Sequence, residues 1–120
     1  MKKLLIALAI IATAFVAWWF YDSVKPKLFA KVGFNSSIVE VTNGNDAAWR
    51  DAEVLLNIDE SGMDIPRVIV KGEWAPGETK RLALADFKRG ISQHAFNPEF
   101  EKARQVSIQA SGYQLATYSK

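Results

Sequence analysis

An uncharged run of 18 residues, from Leu4 to Tyr21, limits what this chain can fold into more than any other feature of its sequence. As an α-helix the run would extend about 27 Å, at 1.5 Å per residue. That length is close to the hydrocarbon thickness of a bilayer, about 30 Å. The run is therefore either a signal peptide, cleaved near the small residues Ala12 to Ala14, or a membrane anchor that is retained.

The aromatic residues at the end of the run favour the anchor. Cleavage after Ala14 would leave a mature chain that begins with a cluster of large aromatic residues and offers nothing to bury them. In a retained helix, Trp18, Trp19 and Tyr21 would lie in the headgroup layer, where amphipathic rings are enriched. We therefore predict a transmembrane anchor over residues 1–21, with these three residues as membrane-interface anchors. The alternative is a secreted protein from which this segment has been removed.

The flanking charges predict how the anchor is oriented. Lys2 and Lys3 precede the span, and a short basic N-terminus usually stays in the cytoplasm. Pro26 would end any helix that continues from the membrane, so residues 22–27 are predicted to be a short linker. We expect a single-pass protein of a bacterial inner membrane, with residues 28–120 forming a periplasmic domain.

One face of the predicted helix carries small residues at four-residue spacing: Ala9, Thr13 and Ala17. Such a row lets two helices approach closely in lipid, which makes it a candidate helix-packing face. The other interpretation is that alanine is simply common in bacterial membrane spans. Both interpretations leave the bulkier residues of the span facing lipid.

Composition excludes several classes of function for the rest of the chain. Cysteine is absent, which excludes disulfides, thiolate metal sites and a cysteine nucleophile. From Asp22 onward the chain contains 13 basic and 13 acidic residues, so this part has no net charge. A domain without net charge is a poor match for nucleic acid, whose binding depends on the neutralisation of phosphates.

Beyond the linker, short runs of β-branched and aromatic residues alternate with turn signals, a pattern typical of an antiparallel sandwich. Asn43 to Asp46 ("NGND") is the strongest turn signal, since Asn and Gly tolerate positive φ. Single helical turns are possible near residues 86–89 and 98–104. The seven predicted strands are 28–34, 37–42, 52–58, 67–73, 80–85, 105–110 and 113–118.

Residues 75–108 combine a Pro-Gly turn, a strand that ends in Asp86-Phe87, a polar loop containing glycine, and Phe96-Asn97-Pro98 before the next strand. This pattern resembles a group of small bacterial β-sandwich domains of unassigned function, and the resemblance extends over residues 37–109. It implies an immunoglobulin- or fibronectin-like sandwich and no catalysis. Ala95 departs from the pattern, which has arginine there. We interpret five residues as its structural signature: Trp49, Phe87, Phe96, Asn97 and Pro98.

The search for chemistry yields no predicted catalytic, cofactor-binding or metal-binding residue. His94 is the single histidine, and a solvated loop position is the simpler interpretation than a metal ligand. The loop from Asp59 to Asp64 gathers three carboxylates but lacks the alternating ligands of a calcium loop. No Gly-x-Ser-x-Gly elbow presents Ser92 or another serine as a nucleophile.

The sequence thus predicts a single-span membrane protein whose β-sandwich is an interaction module, as an accessory or assembly subunit of a larger membrane complex. Its expected partners are membrane lipid and other membrane protein subunits. We expect no nucleic acid, no cofactor and no small-molecule ligand. The alternative is a module that binds cell-wall glycan or another envelope component, with an aromatic residue such as Trp74 as its platform. An enzyme ranks third.

Overall fold

The computed structural model describes residues 25–119 of the chain. The predicted anchor and its interface residues Trp18, Trp19 and Tyr21 lie outside the described residues. So does the candidate helix-packing face formed by Ala9, Thr13 and Ala17. Within residues 25–119, no helix is long and apolar enough to cross a bilayer.

The described residues form two antiparallel β-sheets that pack face to face. A three-stranded sheet has the order β1-β2-β5, and a five-stranded sheet has the order β6-β4-β3-β7-β8. The strands are β1 (Ala30–Phe34), β2 (Ile38–Asn43), β3 (Trp49–Leu56), β4 (Pro66–Trp74), β5 (Thr79–Ala83), β6 (Lys88–Arg89), β7 (Gln105–Gln109) and β8 (Ala116–Ser119). The predicted all-β antiparallel sandwich is confirmed in this part of the chain.

All seven predicted strands are present with shifted ends, and β6 is an additional strand of two residues. Within residues 25–119, helical structure is limited to one 3-10 turn, Leu84–Asp86, which shares only Asp86 with the helical segment predicted at 86–89. The helix predicted over 98–104 is absent, since these residues hold only a hydrogen-bonded turn. The strand predicted over 113–118 begins only at Ala116. The preceding chain turns at Gly112, whose φ is 81°, and Gln114 forms a parallel bridge with Lys27.

Alternating residues of the two sheets meet in one apolar core. Trp49 and Trp74 are fully buried and form an edge-to-face pair with ring centroids 5.0 Å apart, a favourable geometry for aromatic rings. β3 carries a bulge between Arg50 and Ala52, where Asp51 has a φ of 51°. The bulge keeps both Trp49 and Ala52 on the buried face, although they are three residues apart.

The NGND turn does not join neighbouring strands, since β2 pairs with β5 and β3 lies in the other sheet. The sequence predicts a positive φ in this turn, but none of residues 43–46 adopts one. Gly44 is needed for a different reason. Gly44 donates its N–H to the carbonyl of Phe29 at 2.8 Å. A Cβ atom on Gly44 would lie 2.9 Å from that carbonyl oxygen. Close backbone approach therefore selects glycine here.

The strand directions define two ends of the sandwich. The proximal end is where the chain enters from residues 1–24, and it comprises residues 25–29, 43–48, 75–78 and 110–115. The distal end is opposite and comprises residues 35–37, 57–65 and 84–104. These two names are used below for these residues.

Candidate functional site

Three large apolar side chains are exposed on three different loops of the distal end. Met63 is 85% exposed, Ile91 68% and Phe100 84%. A cavity of about 360 Å³ lies at this end, and its lining includes Asp64, Phe100 and Glu101. Scattered exposed apolar residues are normal on protein surfaces, but these three occupy loops of the same end: Phe100 lines the cavity, and Asp64 connects the loops of Met63 and Ile91. We call Met63, Ile91 and Phe100 the distal apolar cluster.

Asp64 holds the loop that carries Ile91. Its Oδ1 atom accepts hydrogen bonds from the backbone N–H groups of Ile91, at 2.9 Å, and Ser92, at 3.2 Å. The pKa of Asp64 is lowered mainly by a hydrogen bond with the side chain of Ser92, and also by these N–H groups and the charge of Arg89. The carboxylate thereby connects the loop of Met63, its neighbour in sequence, to the loop of Ile91.

Asn57 fixes the base of the loop that carries Met63. It leaves strand β3 with a φ of 50°, in the left-handed region that Asn tolerates better than most residues. Its buried Oδ1 atom accepts the backbone N–H groups of Arg104, at 2.7 Å, and Gln105, at 3.0 Å, while its Nδ2 donates to the carbonyl of Lys102, at 2.8 Å. One side chain thus joins two of the distal loops.

The turn that presents Phe100 is closed by Asn97 and Glu101. The Oδ1 atom of Asn97 accepts the N–H of Glu99 at 3.0 Å, and the N–H of Asn97 donates to the Oε2 atom of Glu101 at 2.8 Å. Glu101 also forms an ion pair with Arg89. Partial burial acts to raise the pKa of Glu101, but the bonds from Asn97 and Arg89 outweigh it and lower the pKa.

The predicted structural signature does not form a single site. Phe87 and Phe96 are buried beneath the distal loops, where the N–H of Phe96 donates to the carbonyl of Phe87 at 2.7 Å. Trp49 is buried near the proximal end, and Pro98 lines a second distal cavity, of about 390 Å³. Ala95, which departs from the pattern described in the sequence analysis, is exposed. The carboxylates of Asp64 and Glu101 hold this loop instead.

The carboxylates of the predicted Asp59–Asp64 loop point to separate partners. Asp59 accepts from Gln105 at 2.8 Å, Glu60 pairs with Arg104 at 3.3 Å, and Asp64 binds backbone N–H groups as described. His94 is exposed in the neighbouring loop. Among residues 25–119, no three His, Asp or Glu side chains are placed to share a metal ion.

Trp74 is buried, so the suggested stacking platform is wrong at this residue. Its relative exposure is 0%, and its Nε1 donates to the carbonyl of Glu78 at 2.8 Å. Both faces of the ring are therefore unavailable to a glycan.

Sequence reasoning missed the distal apolar cluster. The signal was present, since each member is a large apolar residue inside a polar turn: "SGMD", "RGIS" and "PEFE". An apolar residue between turn-forming neighbours has no strand or helix face on which to be buried. The proximity of the three turns, however, follows only from the fold.

Comparisons of this chain with models of protein families, with curated proteins and with solved structures found no match. The resemblance to small bacterial immunoglobulin-like domains therefore stays a prediction from the sequence. The described residues by themselves define the class of fold, which is an antiparallel two-sheet β-sandwich.

Proposed function

We propose that this protein is a membrane-anchored, non-catalytic β-sandwich module that binds another protein through its distal end. In this proposal it is an accessory or assembly subunit of a larger complex in a bacterial inner membrane. The observation that carries the proposal is the distal apolar cluster, whose three loops are held by Asp64, Asn57 and the Arg89–Glu101 pair.

The arrangement has the anatomy of a protein-binding surface. The depression is lined by Phe100 and by the paired charges Arg89–Glu101 and Arg104–Glu60, and Met63 and Ile91 are exposed on the adjoining loops. Such a mixture of exposed apolar groups and paired charges is found in protein interfaces. The loops are fixed by buried or charge-assisted hydrogen bonds, so little conformational entropy remains to be lost on binding. A partner that buried Met63, Ile91 and Phe100 would gain on the order of 1.5–3 kcal/mol from each side chain.

The predicted anchor reduces the affinity that such a contact needs. When both partners lie in one membrane, binding is governed by an effective concentration rather than by free diffusion. The topology supports this use, because residue 25 enters at the proximal end and the distal apolar cluster lies at the opposite end. The cluster therefore faces away from the predicted point of attachment.

The immunoglobulin- or fibronectin-like arrangement is part of the proposal. The first, second and fifth strands share one sheet, while β3, β7 and β8 share the other with β4. Immunoglobulin-type sandwiches place strands A, B and E in one sheet and C, F and G in the other, and β4 then takes the place that strand C′ has in variable domains. Domains of this class commonly present their loops to protein partners, which agrees with the distal apolar cluster as the binding surface.

The test is photo-crosslinking of the full chain in its native membrane, with a photoreactive residue at position 63 or 100. We expect one discrete protein adduct from both positions. To test the cluster itself, the photoreactive residue is placed at position 93, in the same loop as Ile91. The combined changes Met63→Ser, Ile91→Ser and Phe100→Ser should then reduce the yield of the adduct at least ten-fold without altering the fold. The matched control is Ile69→Ser, because Ile69 is 67% exposed on the outer face of the five-stranded sheet. The proposal would be contradicted if the triple variant and Ile69→Ser lost the same fraction of adduct, or if no adduct formed from the distal loops.

A further inference from the structure

The end of the predicted linker is bonded to the domain. The carbonyls of Lys25 and Pro26 accept hydrogen bonds from Gln114, at 2.7 and 3.0 Å. Lys27 forms a parallel bridge with Gln114, and its carbonyl accepts Nδ2 of Asn45 at 3.2 Å. Two further bonds hold Phe29, one to Asn45 and one to Gly44, both at 2.8 Å. Residues 25–29 therefore belong to the proximal end of the domain.

This attachment limits the distance between the domain and the membrane. Only residues 22–24 separate Tyr21, at the end of the predicted span, from Lys25. Four steps of extended chain reach about 14 Å at most. The headgroup layer on one side of a bilayer is about 5–8 Å thick. The proximal end must then lie in or directly above the headgroups, whatever the conformation of residues 22–24.

The proximal end has the composition that such a position requires. Phe29 is 60% exposed and Leu115 is 49% exposed, and each follows the Lys27–Gln114 bridge on its own segment of chain. Lys25 and Lys27 lie in the proximal end, and Lys31 lies just beyond it in strand β1. The proximal end also carries the acidic residues Asp46 and Glu78, with Glu73 and Asp51 nearby. Glu78 pairs with Lys80 and Glu73 with Arg50, and Asp51 lines a cavity together with Lys25. Apolar side chains beside lysines are the combination that binds anionic lipid surfaces.

We propose that Phe29, Leu115 and the lysines at positions 25, 27 and 31 form a surface that rests on anionic lipid headgroups. The inference depends on the anchor in the proposed function and adds an orientation to it. With its proximal end seated on the bilayer, the sandwich stands away from the membrane. The distal apolar cluster is then presented to the exposed part of a partner rather than to lipid.

The test uses the full chain in vesicles of phosphatidylcholine, with or without one third phosphatidylglycerol. Because the chain lacks cysteine, single labels can be introduced by Phe29→Cys, Leu115→Cys, Met63→Cys, Phe100→Cys and Ile10→Cys. Spin-label collisions with oxygen, which partitions into lipid, are compared with collisions with a water-soluble nickel chelate. We expect the oxygen-to-nickel ratio to be at least three-fold higher at positions 29 and 115 than at 63 and 100. It should fall when the three lysines are changed to alanine or when phosphatidylglycerol is omitted.

The label at position 10 separates this inference from the proposed function. If that label lies in lipid while positions 29 and 115 match the distal positions, the headgroup surface is wrong and the anchor stands. If position 10 is itself exposed to water, both proposals fail. Equal ratios in the two lipid mixtures would overturn the choice of anionic headgroups.

Discussion

The indole N–H of Trp49 donates a hydrogen bond to the Oδ1 atom of Asn45 at 3.0 Å. The same oxygen accepts the backbone N–H of Phe29 at 2.8 Å. One exposed-loop amide thus links a tryptophan of the core to the segment through which the chain enters the domain.

Replacement of Asn45 should weaken both the core and the entering segment. Asn45→Ala removes the bonds to Phe29, Trp49 and Lys27, so we expect a loss of about 2–3 kcal/mol of unfolding free energy. Asn45→Asp is the matched control, since it keeps the accepting oxygen and loses only the donor to Lys27. It should cost less than half as much. Denaturant titration measures both, and equal losses would contradict the role assigned to the oxygen.

Gly44→Ala should destabilise the domain by about 1–3 kcal/mol, because the new Cβ would lie 2.9 Å from the carbonyl oxygen of Phe29 and force the backbones apart. Gly33→Ala provides the comparison. Gly33 lies in strand β1, and a Cβ there would meet no atom within 4 Å. We expect Gly33→Ala to change stability by less than about 0.5 kcal/mol. Thermal melts of the two variants decide the matter, and similar melting temperatures would show that the close approach does not matter.

Two phenylalanines four residues apart should behave in opposite ways. Phe96 is 2% exposed, so Phe96→Ala should cost about 3–5 kcal/mol through lost burial and a residual cavity. Phe100 belongs to the distal apolar cluster, and Phe100→Ala should cost less than about 0.5 kcal/mol while it reduces partner crosslinking. A large loss of stability in Phe100→Ala would indicate a packing role and argue against a binding surface.

Acid should loosen the distal loops first. The pKa values of Asp64 and Glu101 are both lowered in the folded domain. A lowered pKa contributes stability that is present above the unfolded-state values, about 3.9 and 4.3. That contribution is lost as the pH falls through the lower folded values. Hydrogen exchange at Ile91 and Ser92 should therefore accelerate relative to the core below about pH 4.

The variant Asp64→Asn should flatten this dependence, because the amide does not titrate. Asp46→Asn, at the proximal end, serves as the control and should leave the exchange of Ile91 and Ser92 unchanged. If the distal loops of the parent protein keep their protection at pH 2.5, Asp64 does not hold them in the manner described.

The sequence by itself determined which segments are extended. Alternation of apolar and polar residues in "SIVEVT" and "RVIVKGE" follows from the period-two geometry of a strand, and this geometry is local. Turn residues at 43–46 and 75–79 were recognisable for the same reason, because Asn, Gly and Pro act on their own backbone. The absence of cysteine and the apolar run before Asp22 can likewise be read directly from the sequence.

Pairing between distant segments was decided by the tertiary structure. Alternation in β2 identifies its buried face but not its neighbour, and the sequence does not reveal that Thr42 lies opposite Thr79 in β5. Trp74 stands at a strand end, where a core position and a rim position look alike in the sequence, and the packing of the core, which includes Trp49, buries it. The same holds for Gly44, whose requirement comes from Phe29, 15 residues earlier.

The candidate site shows this division most clearly. Met63, Ile91 and Phe100 each stand out locally as apolar residues in polar turns, yet they are 28 and 9 residues apart along the chain. Their turns lie at one end of the sandwich because the 57–65 and 84–104 segments connect strands at the same edge of two packed sheets, and because Asp64 and Asn57 bond across from one segment to another. Local chemistry selects the residues of a turn, whereas the packing of sheets selects which turns become neighbours.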